Sequence, residues 1–179
     1  MDVSAALAAV GEKHGTERFA GRWDERHWMN TPGPLYCSET DNSGAGPLAA
    51  PNSVLVDNDG FEAIFRQPVN HHELRQVLRA AECDVFSAYA ADGDSHWTLA
   101  AIRAWWAGSR EIGREVERQL ARLTGDKSVL TESVNHVFFA GLLRWRDYFK
   151  EDMHLYLRVY AFFLEEGRIP AAEDRLPDV

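Results

Sequence analysis

The sequence predicts an α+β fold, mostly α: a helical bundle with a small, about three-stranded β-sheet between residues 53 and 89. Three observations predict it. Beyond Asn70 most segments repeat their apolar residues at helical spacing. Two β-rich runs, Ser53 to Asp57 and Phe61 to Arg66, flank Asn58-Asp59-Gly60, a hairpin signal. Residues 27–52 follow neither period and are rich in Pro and Gly, so they form one long irregular loop. Trp28, Leu35, Tyr36 and Leu48 are too apolar for that loop to float free, so it is expected to be pinned to the body. With 179 residues, one domain over 1–179 is the expectation, and the chain is long enough to bury a sizeable core.

The elements follow in order. Asp2 can cap a short first helix bearing Val3, Leu7 and Val10 on one face. Arg18, Arg22 and Arg26 alternate with Phe19, Trp23 and His27, which suggests another turn or two of helix. Asn70 with Glu73 forms a capping box before a helix buried along Leu74, Val77, Leu78 and Ala81. Asp84 to Tyr89 reads as a third strand, so strand, helix and strand suggest a right-handed crossover. Ser95 or Thr98 can cap the next helix, which Gly108 should close. A separate helix then carries Ile112, Val116, Leu120 and Leu123 and ends at Gly125. Thr131 and Ser133 open a helix running to Lys150. Met153 to Leu164 is apolar on nearly every face, the mark of a central core helix, and Gly167 caps it.

Composition bounds the function. The N-terminus lacks a basic n-region, and no apolar run approaches the roughly 18 residues needed to span a bilayer. Cys37 and Cys83 show neither a disulfide framework nor metal spacing, so a reduced, cytoplasmic setting is expected. The net charge is −9, and five acidic residues but no Lys or Arg lie between His27 and Phe65. Nucleic acid or an anionic membrane would require the opposite sign, whereas a basic protein partner suits this one.

Several constellations could carry chemistry. Asp92-Gly93-Asp94-Ser95-His96 starts like a metal loop but lacks the distal ligands, and a turn followed by a helix cap explains it without an ion. Cys37, Glu39 and Asp41 place a nucleophile and two carboxylates in one loop; joined with Asp92, Asp94 and His96 they would make a small hydrolase or transferase. Turn chemistry accounts for the same residues. His71 and His72 read as surface residues, and His136 and His154 as hydrogen-bonded core histidines. No cofactor or metal is called for.

Trp28, Asn30-Thr31-Pro32-Gly33-Pro34-Leu35-Tyr36, Thr40-Asp41, Ala50-Pro51, Phe65-Arg66-Gln67-Pro68 and Asp92 to Trp97 resemble a set shared by small bacterial proteins of unassigned function. Proteins of this sort occur beside polymorphic or contact-dependent toxins, where they serve as immunity proteins. The resemblance spans most of residues 26–106 and implies a toxin-domain partner, with no catalytic residues. On charge and aromatic content, the expected contact face comprises Glu39, Asp41, Asp57, Asp59 and Glu62, with Tyr36 and Trp105 as apolar anchors. A scaffold or subunit that self-associates through an apolar patch is the third reading.

Overall fold

The protein is described by a computed structural model over residues 19–40, 44–125 and 133–179. The predicted first helix and Asp41 lie outside these described residues. Within them the fold is α+β and mostly α: β1 (Tyr36–Cys37), α1 (Gly46–Ala49), β2 (Val54–Val56), β3 (Glu62–Ile64), α2 (His71–Cys83), β4 (Tyr89–Ala90), α3 (Leu99–Gly125), α4 (Ser133–Glu151) and α5 (Met153–Glu166). No helix among the described residues is long and apolar enough to cross a membrane.

The β2–β3 hairpin sits at the centre, and the reason is its alternation. Val54 pairs with Ile64 and Leu55 with Ala63. Val54 and Ile64 face a core built with Leu74, Val77 and Ala81 of α2 and Tyr89 of β4. Leu55 and Ala63 face the opposite core, with Ile102, Val116, Leu142, Trp145 and Leu157 of the three long helices. A strand buried on both faces reads as an unbroken apolar run, which is what Val54-Leu55-Val56 is.

The third strand differs from expectation. Only Tyr89–Ala90 is extended, and it pairs antiparallel with β1 instead of joining the hairpin through a crossover. The Asp84 carboxylate accepts the amides of Phe86 and Ala88 at 3.0 and 2.6 Å, and Ser87 takes a left-handed φ of 56°. That turn consumes residues 84–88. There are therefore two short antiparallel pairs in place of a three-stranded sheet.

What joins the two pairs is a side chain. Asn30 Oδ1 accepts the amides of Cys37 (3.1 Å) and Ile64 (2.8 Å), while its Nδ2 donates to the carbonyls of His27 and Cys37. One carboxamide thus fills its hydrogen-bonding capacity between β1 and β3. Gln67 does the same one layer on, donating to the carbonyls of Thr31 and Leu35 and accepting the Leu35 amide. Thr31 Oγ1 donates to the Phe65 carbonyl at 2.6 Å. A Cβ on Gly33 would stand 2.3 Å from the Gln67 side chain, so only glycine allows this approach. The loop is pinned as expected, with Leu35 and Tyr36 buried, but Leu48 is exposed.

Three helical expectations changed, two in extent and one in burial. Residues 23–25 form a single 3₁₀ turn, and Arg26 next to it pairs with Ser38 as an isolated β-bridge, so the suggested helix there is absent. Helix α3 runs through Gly108 without a break, capped at its start by Thr98 Oγ1, which accepts the Ala101 amide. A mid-helix glycine costs about 1 kcal/mol, less than burying Ile102, Val116 and Leu120 along one continuous stripe returns. Helix α5 is buried along Met153, Leu157, Tyr160 and Ala161 but exposes Leu155, so it is amphipathic and not buried on all sides. Its end at Gly167, φ 67°, is as expected.

Two stability outcomes follow from the backbone accounting. Asn30→Ala leaves buried amides and carbonyls without partners, and chemical denaturation should show a loss of about 3–5 kcal/mol. Gly108→Ala meets nothing within 4 Å and should gain about 0.5–1 kcal/mol.

Candidate partner-binding site

The hairpin turn is held by Asp57. Its Oδ1 accepts the amides of Asp59 and Phe61, each at 2.9 Å, and Gly60 takes the left-handed φ of 91° that the turn requires. Its Oδ2 lies 3.0 Å from His27 Nε2. The Met29 amide donates to His27 Nδ1 at 3.1 Å. That contact leaves Nε2 to carry the hydrogen given to Asp57. Asp57 and His27 are both buried, at 4% and 1% exposure, so the turn is locked to the start of the long loop. Burial by itself would raise the Asp57 carboxyl, but the hydrogen bonds from His27, Phe61 and Asp59 outweigh it and hold the group below the usual aspartate range.

Locking His27 inward turns its neighbour outward. Trp28 is 40% exposed and lines a cleft of about 500 Å³ between the hairpin tip and the middle of α3. The hairpin supplies Asn58 and the exposed Asp59. Helix α3 supplies Glu111, Glu115, Arg118 and Arg122, a row at three- and four-residue spacing that places them on one face. Ile112 and Gln119 form the adjacent row. Arg118 is held by Glu115 at 2.7 Å and Glu111 at 3.7 Å.

The expected contact face is only partly where the sequence placed it. Glu39 and Asp59 are exposed. Asp57 and Glu62 are inside, Glu62 at 1% exposure, where its carboxylate accepts the Tyr89 hydroxyl at 2.5 Å and the Gly46 amide at 2.9 Å. Burial raises the Glu62 carboxyl in spite of those bonds. Tyr36 is 2% exposed, and its hydroxyl donates to Asp92 at 2.8 Å, so it is a core residue and not a surface anchor. Trp105 is half-buried and packs on the helical core. Among the described residues the exposed aromatics are Phe86, at 52%, and Trp28, at 40%, and Trp28, expected to help pin the loop, is the one that lines the cleft.

Among the described residues, the catalytic alternative brings its two loops together but not its groups, and Asp41 lies outside them. Tyr36 and Asp92 touch, yet Cys37, next along β1, points to the opposite side, into the core with Leu74 and Tyr89. There it is 0% exposed, and burial, and then the Glu62 and Asp84 charges, push its thiol well up. Asp92 is committed to Tyr36 and His96, and Asp94 accepts the Tyr160 hydroxyl at 2.7 Å. His96 stacks on Trp23 at 4.6 Å, with the Arg26 guanidinium 4.2 Å from the same ring. No group of three metal-ligating side chains occurs among the described residues. His71 and His72 are exposed as expected; His136 and His154 are exposed too, so neither is a core histidine, and His154 packs on Trp106.

Comparison of the chain with protein families, curated proteins and solved structures returns no match.

The Asp57 lock gives a pH signature. A carboxyl whose folded pKa lies below its unfolded value contributes stability above the unfolded pKa, about 3.9, and loses it as pH falls through the folded one. Denaturation midpoints of the parent should therefore drop on acidification below about pH 4, and Asp57→Asn should be less stable at pH 7 with a shallower acid limb.

Proposed function

We propose that this chain is an immunity-type binding protein that neutralises a basic toxin domain by docking on the face around the hairpin tip. The observation that carries the reading is the exposed indole of Trp28 in one cleft with Asp59, Glu111 and Glu115. An aromatic anchor inside a charged rim is the composition of a protein-binding face. The net charge of −9 favours a cationic partner and speeds the encounter with it. Glu39, exposed on the stretch after β1, adds to the outward acidic surface. Asp57 serves that face from inside, by holding His27 beside Trp28.

The test is co-expression with the basic toxin domain of a neighbouring reading frame, with growth and purified-pair affinity as readouts. The parent chain should restore growth. Trp28→Ala should weaken binding by about 2–4 kcal/mol, and Asp59→Lys should slow association and flatten its salt dependence. Both positions are exposed, so folding should be unaffected. Unchanged affinity, on-rate and salt dependence in the double variant would overturn the proposal.

A further inference from the structure

Resting on the binding role just proposed, we infer that the cleft between the hairpin tip and α3 is a slot for one guanidinium side chain, an arginine of the basic partner. Gln119 carries the argument. It lines the cleft, is 4% exposed, and its Oε1 has no hydrogen-bond partner among the described residues. Its Nε2 donates to Glu115 Oε1 at 3.1 Å, which fixes the amide with the carbonyl oxygen left over. A buried acceptor without a donor costs about 1–3 kcal/mol, so a ligand presenting N–H groups is the complement.

The surroundings specify a cationic donor. Four carboxylates line the cleft against two guanidiniums, and Arg118 is already held by Glu111 and Glu115. Asp57 is committed to His27, Glu115 to Arg118 and Gln119, and Glu111 to Arg114, which leaves the exposed Asp59 as the carboxylate for an incoming cation. The exposed face of Trp28 suits a planar cation, and guanidinium both stacks on an indole and offers five donors to several acceptors at once. A lysine ammonium offers three donors from a point and no plane.

The isolated protein can be tested with N-acetyl-arginine amide, following the Trp28 indole N–H by NMR, its resonance assigned with Trp28→Phe. A saturable shift in the millimolar range at low salt is expected, with N-acetyl-citrulline amide, the neutral near-isostere, at least about tenfold weaker. Gln119→Met should weaken arginine binding about tenfold without lowering the melting temperature. No saturable shift, equal binding of citrulline, or undiminished binding in Gln119→Met overturns the slot. Should Gln119→Met unfold, Asp59→Asn takes its place with the same two outcomes. Arginine binding without toxin neutralisation would leave the slot standing and remove the immunity reading; neutralisation with an unshifted Trp28 would remove the slot alone.

Discussion

The carboxamide of Asn30 is the constraint on which the rest of this structure depends. Two short antiparallel pairs, β1–β4 and β2–β3, do not share a ladder, and a pair of two or three residues has little stability alone. Asn30 bridges them by presenting one acceptor to Cys37 and Ile64 and two donors to carbonyls of His27 and Cys37. A buried backbone must find partners, and here an amide side chain does what a strand would do. Gln67 and Thr31 repeat the device along the next residues. The hairpin can then stand between two cores, with each face of β2 buried.

The same accounting explains the acidic ribbon. A loop without strand pairing has many amides to satisfy, and carboxylates are strong acceptors. Asp57 takes two hairpin amides, Glu62 takes Gly46, and Asp84 takes two amides before β4. These charges are structural. What faces out is a remainder: Asp59 at the tip, Glu39 after β1, and Trp28, turned outward because His27 on one side and Met29 on the other are buried. The outward acidic face is therefore what the inward hydrogen bonds leave over.

Much of the fold was legible because it rests on local signals. Asn58-Asp59-Gly60 marked the hairpin, and Asn70 caps α2 by accepting the Glu73 amide, although Glu73 turns its own carboxylate to the Val69 amide and Arg66 in place of closing the box. Gly108 misled because the apolar stripe on either side of it outweighs one glycine. Strand 84–89 misled because Asp84 and Ser87 build a turn that only a backbone trace reveals. The site was less legible. A carboxylate facing water and one facing backbone amides have the same letter, so Asp57 and Glu62 could not be told from Asp59 without coordinates. Trp28 and Gln119 were missed for a related reason. Exposure of a loop tryptophan follows from its neighbour's lock, and an unsatisfied amide on a helix has no sequence signature at all.

The central claim is that the acidic residues divide into inward acceptors and an outward face. Carboxyl labelling in the folded protein, with a carbodiimide and a small amine read by mass spectrometry, tests it most directly. Asp59 and Glu39 should label quickly, while Asp57, Glu62 and Asp84 should stay unmodified until the chain is unfolded. Labelling of Asp57 and Glu62 at the rate of Asp59 would contradict the account.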